Sequence, residues 1–331
     1  MDRATEHMAS LRRIASGYVE EAPHLNRARA PRGEPMTDYA VEMVNVCRDF
    51  GRRRVIHDLN LRVRRGGVYG LLGVNGSGKT TTIKMLMGHL RPTEGTITIL
   101  GRSYSTDLLA IRQRVGYVSE NRYLYDWMTV EETLRFAAAF HERWDWEKAR
   151  RLTDRLQLDP TMKVKHLSRG NRARLCLIVA LAFDPELLIL DEPTSGLDPV
   201  VRRELLESVV AEIRREGRTV LFSSHLVEEM ERIADWVGIL HQGRLKISAP
   251  LEEVKASMKK VRLVLNGREP DFGQLRGVLS IEKRTGERIL TMKDVSDEVL
   301  TKLRQWSASE PEIIPLSLED VFVASVRAEG Q

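Results

Sequence analysis

The sequence predicts an α/β protein: a parallel sheet covered by helices, followed by a small α+β unit. Three observations carry that prediction. From Tyr39 onward, strand-length apolar runs alternate with longer helical segments. Two of the runs, Val68 to Val74 and Leu187 to Leu190, are continuously apolar, as strands buried on both faces must be. After about Pro250 the composition shifts, and short strands surround a single helix.

Residues 1–38 read as an N-terminal extension. They are arginine-rich, carry Pro23, Pro31 and Pro35, and show no strand pattern. A poorly ordered tail is the expectation. Met8, Leu11, Ala15 and Tyr18 recur at helical spacing and leave a short amphipathic helix as the alternative, and Met36 is an alternative natural start. Val41 to Val46 then alternates like a half-buried strand, and Val55 to Val63 follows as a second. Val68 to Val74 feeds a glycine-rich loop, and Thr80 to Leu90 reads as the helix after it. Further strands are expected at Leu187 to Leu190 and Thr219 to Phe222. In the last unit, Arg262 to Leu265 and Ile289 to Met292 flank a helix at Ser296 to Trp306. The expected division is thus 1–38, 39–250 and 251–331, with no internal repeat and no second glycine-rich loop.

Composition narrows the class. At 331 residues, 42% apolar and 30% charged, the chain is expected to be soluble and globular, with one large domain and a smaller one. No apolar run reaches the roughly 18 residues that a membrane span needs. The longest, Leu175 to Phe183, is far shorter. The N-terminus has charges where a secretory signal needs an apolar core. Cys47 and Cys176 lie far apart without a C-x-x-C or histidine spacing, against a disulfide framework or a structural zinc site. The cytoplasm is the expected compartment. The net charge of +5 is spread along the chain and reads as solvated surface, with no nucleic-acid partner expected.

Two motifs carry chemistry. Gly73-Val74-Asn75-Gly76-Ser77-Gly78-Lys79-Thr80 matches G-x-x-x-x-G-K-S/T in full, and Thr81 follows it. Its glycines let backbone N–H groups wrap an anion, and the helix starting near Lys79 adds its positive end. Lys79 is placed to reach the β and γ phosphates of a nucleotide, and the Thr80 hydroxyl to bind Mg²⁺. The second motif lies in Leu167 to Asp198, LSRGNRARLCLIVALAFDPELLILDEPTSGLD. There an apolar strand ends in Asp191-Glu192, and Asp191 emerges at its C-terminal end, where ligands bind in such sheets. Asp191 suits a Mg²⁺ shell, and Glu192 suits orienting and deprotonating an attacking water.

Over Val41 to Ser248 the sequence resembles the nucleotide-binding subunits of ATP-binding-cassette transporters. The family's LSGGQ signature looks like Leu167-Ser168-Arg169-Gly170-Asn171, and its D-loop resembles Ser195-Gly196-Leu197-Asp198. His225, in Phe222-Ser223-Ser224-His225, resembles the switch histidine. Phe50 resembles the adenine-stacking aromatic, and Glu120 falls at the glutamine-loop position. The resemblance implies a P-loop NTPase (RecA-like) parallel-sheet core, an antiparallel β subdomain and a helical signature subdomain at about 121–180. It implies ATP and Mg²⁺ as cofactors, with Thr80, Glu120 and Asp191 near the metal and Glu192, His225, Glu120 and Lys79 in catalysis.

The implied assembly is a head-to-tail dimer, either of this chain or with a second such subunit. In it Ser168, Gly170 and Asp198 act on nucleotide shared with the partner. Two of these motifs depart from the common pattern. Arg169 and Asn171 replace the first glycine and the glutamine of the signature, and Glu120 replaces an amide by a carboxylate that cannot donate a hydrogen bond. Both departures resemble an export-type branch that works with separate membrane permeases. That places the chain on the cytoplasmic face of a membrane. The apolar cluster Tyr123, Leu124, Tyr125, Trp127 and Met128 reads equally as helix packing or as a permease contact. The tail Leu316 to Phe322 resembles one common in that branch, where it supports a dimer or packs on the cassette. The competing functions are a soluble family ATPase acting on ribosomes or nucleic acid, and a nucleotide-sensing regulator.

Overall fold

The computed structural model describes residues 38–327 apart from 268, 276 and 294, with backbone alone for 213–216. The helix candidate at Met8 to Tyr18 and the alternative start at Met36 lie outside the described residues. The chain begins β1 (Tyr39–Phe50), β2 (Arg53–Arg64), β3 (Val68–Leu72), α1 (Lys79–Leu86), β4 (Glu94–Ile99), β5 (Arg102–Ser103), α2 (Leu108–Arg112) and β6 (Val115–Val118). It continues α3 (Val130–Ala138), α4 (Trp146–Arg155), α5 (Arg169–Leu181), β7 (Leu187–Asp191), α6 (Pro199–Glu216), β8 (Thr219–Ser224), α7 (Val227–Ile233), β9 (Trp236–His241) and β10 (Arg244–Pro250). The remainder is α8 (Leu251–Ala256), β11 (Met258–Val264), β12 (Val278–Arg284), β13 (Glu287–Lys293), α9 (Asp297–Trp306), β14 (Glu312–Pro315) and α10 (Leu318–Arg327).

Among the described residues the central sheet runs β10-β9-β3-β8-β7-β6. β9, β3, β8, β7 and β6 are parallel, and only β10 joins antiparallel, at the edge. Every residue of β3, β7 and β8 is buried, which explains why they read as unbroken apolar runs. Side chains alternate across a strand, and here that alternation divides two cores. Tyr69 and Leu71, Leu187 and Ile189, and Leu221 face the antiparallel sheet β2-β1-β4-β5, packing with Val41, Met43, Ile56, Leu61 and Ile97. Val68 and Leu72, Leu188 and Leu190, and Val220 and Phe222 face the other way. There they meet Leu134, Leu152, Leu175, Ile178, Leu206 and Met230 of the helices.

The helical layer is fixed by its caps. Thr129 opens α3 with a reciprocal capping box to Glu132, and Asp145 caps α4 through Lys148 N at 2.8 Å. Beyond β10, strands β12-β13-β11-β14 form an antiparallel sheet around Val261, Leu263, Leu290, Met292 and, from α9, Leu303. The flanking helices do not join that core. Leu251 and Val254 of α8 and Leu318, Val321 and Ala324 of α10 pack into the helical core of the parallel sheet.

The strands β1 and β2 are longer than their alternating centres suggested, since they pair as a hairpin to its tip at Phe50↔Arg53. α1 stops at Leu86, short of Leu90, with Gly88 left-handed (φ +74°) just past its end.

Candidate active site

The phosphate-loop sequence folds as a tight turn between β3 and α1. A Cβ on Gly73 would lie 2.5 Å from the Leu240 carbonyl oxygen, so only glycine lets the loop pass β9 this closely. Gly78, at φ +111°, makes the left-handed entry into α1. Ser77 N–H donates to Val74 O (3.1 Å), and Gly243 N–H holds Ser77 O (2.9 Å). Val74, Asn75 and Gly76 are exposed at the loop's outer edge, while Lys79 is 5% exposed. Its ammonium donates to Gly73 O (2.6 Å) and Val74 O (3.3 Å) and lies 3.1 Å from Glu192 Oε1. The first turns of α1 leave Thr80 and Thr81 partly exposed. Ser77 Oγ is buried without a partner among the described residues, a polar orphan suited to a ligand bound in the loop.

The ends of β7 and β8 face this loop. Asp191 Oδ1 accepts from Ser223 Oγ (2.8 Å) and from Thr80 Oγ1 (3.3 Å). Burial pushes the Asp191 carboxyl above the usual carboxylate range; the Ser223 and Thr80 hydroxyls oppose that shift, and the charges of Glu120 and Glu192 add to it. Glu192 sits in the left-handed region (φ +46°), which costs a side-chain-bearing residue about 1–2 kcal/mol. Its N–H donates to Ser223 Oγ (3.0 Å), and its Oε2 lies 2.8 Å from His225 Nδ1. The carboxylate is thus held between the loop lysine and the histidine. Glu120 follows β6, and its Oε1 accepts from Ser195 Oγ at 3.4 Å.

Other sequence-chosen residues stand apart from this cluster. Ser168 caps α5, accepting from Asn171 N–H (3.1 Å), and a Cβ on Gly170 would reach Val201 Cγ1 at 2.7 Å. The signature segment is therefore placed against the start of α6. Asp198 accepts from Val200 N–H (3.1 Å) and Val201 N–H (3.0 Å), capping that helix. Phe50 is 44% exposed at the hairpin tip, with the Arg48 guanidinium 4.7 Å above its ring.

Sequence reasoning missed three site residues. Ser223 bridges Asp191 and Glu192, and its signal was its place in the strand-end Phe222-Ser223-Ser224-His225. Buried Glu229 accepts from Thr194 Oγ1 (2.6 Å) and from Ser224 Oγ. Buried Arg122 donates to Pro193 O (2.7 Å) and Ser195 O (2.9 Å). No sequence signal marked the last two.

The geometry can cradle phosphates, hold a cation between Thr80 and Asp191, and activate a water at Glu192. Residues 56–195 match the family model for ABC transporters. The ABC transporter ATP-binding protein YhaQ of Bacillus subtilis is 34% identical over 305 residues, covering 86% of this chain and 97% of its own. The chain belongs to the ATP-binding subunits of ABC transporters.

As a member of that family it is an ATPase that binds ATP. The bacitracin transport ATP-binding protein BcrA of Bacillus licheniformis is 34% identical over 223 residues, covering 66% of this chain and 72% of that one. Among solved structures, an ATP-binding subunit of an ABC transporter is 31% identical and superposes with a TM-score of 0.60 over 66% of this chain and 92% of its own. The α/β architecture of this ABC subunit is that of a P-loop NTPase. Among the described residues no helix is long and apolar enough to cross a membrane.

Proposed function

We propose that this ABC subunit hydrolyses ATP to drive export through separate membrane permease subunits, from the cytoplasmic face of the membrane. The observation that carries the catalytic part is the Lys79–Glu192–His225 cluster at the end of β7, beside the Thr80–Asp191 pair. Export is favoured by the carboxylate at position 120 and the Arg169 spelling of the signature, together with the likeness to a bacitracin transport protein. The cassette spans 39–250 in this reading, with its helical subdomain at about 121–180, and 251–331 is an accessory unit.

Residues 73–81 bind the triphosphate, with Lys79 on its β and γ phosphates and Phe50 against the adenine. Mg²⁺ fits the donor set: a hydroxyl and a carboxylate side by side, Thr80 and Asp191, with Glu120 near enough to raise Asp191's pKa. Among the described residues no group of three or more His, Cys, Asp and Glu side chains is arranged to hold a metal alone. That suits a cation carried largely by substrate phosphates and water. When bound, Mg²⁺ supplies charge neutralisation at the phosphates. Glu192 takes a proton from the attacking water as its oxygen bonds the γ-phosphorus and the bond to the ADP oxygen breaks. His225 orients the Glu192 carboxylate through Nδ1 and would contact the γ-phosphate of bound ATP. Ser168, Gly170 and Asp198, whose contacts lie at the starts of α5 and α6, serve the nucleotide of a partner subunit in a head-to-tail dimer.

Glu192→Gln tests the catalytic assignment. General-base loss is expected to lower kcat by about 10²–10⁴-fold, while ATP binding and ATP-dependent dimerisation persist. Wild-type turnover in that variant removes Glu192 from its role. Purification from detergent-solubilised membranes tests export. The expected result is a polytopic partner whose presence changes ATPase rate; stimulation by ribosomes or DNA with no such partner overturns it.

A further inference from the structure

The turn that follows Glu192 is gripped from two sides by buried charges. Ser195 N–H donates to Glu192 O (3.1 Å), closing a turn over residues 192–195. On one side Thr194 Oγ1 donates to the carboxylate of Glu229, which is 3% exposed. On the other, Arg122 Nη2 donates to the carbonyls of Pro193 (2.7 Å) and Ser195 (2.9 Å). Arg122 is 9% exposed and itself left-handed at φ +46°. Burying an arginine in order to hold neutral carbonyls is costly, and a left-handed backbone at a side-chain-bearing residue adds to that cost. Such costs persist where the arrangement serves a site.

The tie has a direction. Glu120, just ahead of Arg122, accepts from Ser195 Oγ, so the segment after β6 holds the turn by side chains at both 120 and 122. That same segment runs on through Tyr123 (82% exposed), Tyr125 and Trp127 to the capped start of α3. We propose that Arg122 is a positioning residue for Glu192, fixing the backbone turn that sets where its carboxylate stands for water activation. The inference rests on the reading of Glu192 as the general base.

The experiment compares Arg122→Ala, Arg122→Lys and Glu192→Gln in the full chain. It measures kcat and KM for ATP, binding of a fluorescent ATP analogue, and thermal unfolding. A misplacement of about 1 Å at a reacting group costs on the order of 10²-fold in rate, so Arg122→Ala should lose roughly that in kcat with nucleotide affinity within about threefold of wild type. Arg122→Lys, able to reach a carbonyl as a single point donor, should fall between the two. Millimolar guanidinium should restore kcat in Arg122→Ala and leave Glu192→Gln inactive, a rescue that a purely structural role would not produce. If Arg122→Ala does not fold, Arg122→Lys carries the test by its kcat at unchanged affinity.

Full activity of either Arg122 variant, or a kcat that falls only in step with ATP affinity, overturns the positioning role. Turnover by Glu192→Gln instead overturns the assignment of the base. An inactive Glu192→Gln beside a fully active Arg122→Ala sinks only the positioning role.

Discussion

Ser223→Ala removes one oxygen from the centre of the site. Ser223 is fully buried; its Oγ accepts from Glu192 N–H at 3.0 Å and donates to Asp191 Oδ1 at 2.8 Å. Alanine would leave the Glu192 N–H buried and unpaired, at about 1–3 kcal/mol. It would also strip a hydrogen bond from a carboxylate, worth about 1.5–3 kcal/mol. Removal of the hydroxyl from an apolar strand returns little, so the expected loss is about 2.5–6 kcal/mol by urea unfolding. The substitution also removes the larger of the two influences that hold the Asp191 pKa down, since Ser223 precedes Thr80 in strength. The acid limb of the kcat/KM profile, which reports the free enzyme, should therefore move to higher pH, as a carboxylate needed in ionised form is protonated sooner. A stability change below about 1 kcal/mol together with an unmoved acid limb would refute this account of the site.

Asp191→Asn keeps an oxygen that can accept from Ser223 and Thr80 while discarding the buried charge. A carboxyl whose folded pKa is raised contributes stability that is present below its unfolded pKa and lost as pH rises through the folded one. The asparagine variant should thus melt above wild type at pH 8, with the gap closing toward acid, and should lose Mg²⁺-dependent turnover; melting below wild type at pH 8 contradicts the assignment. Glu120→Gln removes one of the negative charges that raise Asp191. The acid limb should shift to lower pH, and a rise in the Mg²⁺ concentration for half-maximal rate would mark Glu120 as a metal contact, whereas an unchanged value would leave it acting by charge alone.

How much of this was legible in the sequence depends on how locally each feature is encoded. β3, β7 and β8 could be read because both their faces are buried, which leaves no polar residue to interrupt the run. β4 and β10 could not. The first half of β4, Glu94-Gly95-Thr96, is exposed, and β10 is an edge strand of intermediate burial whose place is set by a hairpin at left-handed Gln242 and Gly243. The tail helix α10 was visible as a segment, but its return to the core of the parallel sheet depends on long-range packing. The same holds within the site. Lys79, Thr80, Asp191 and Glu192 were found because each lies in a contiguous motif. Arg122 acts on carbonyls 71 and 73 positions away, and any residue type supplies a carbonyl, so the contact leaves no pattern in composition or spacing.

The electrostatics of the strand ends tie these observations into one requirement. Asp191, Glu192 and Glu120 converge where the fold supplies Lys79 as a buried cation, and Lys79 lies against Glu192. Asp191 is left to two hydroxyls, which can orient a carboxylate but not neutralise it. Its pKa is raised first by burial and then by the neighbouring Glu120 and Glu192 charges, and the two hydroxyls only oppose that shift. A triphosphate entering the loop adds further negative charge, so the anionic substrate and the carboxylates can share the site at low cost only with a divalent cation between them. Nucleotide and cation binding should therefore be strongly cooperative.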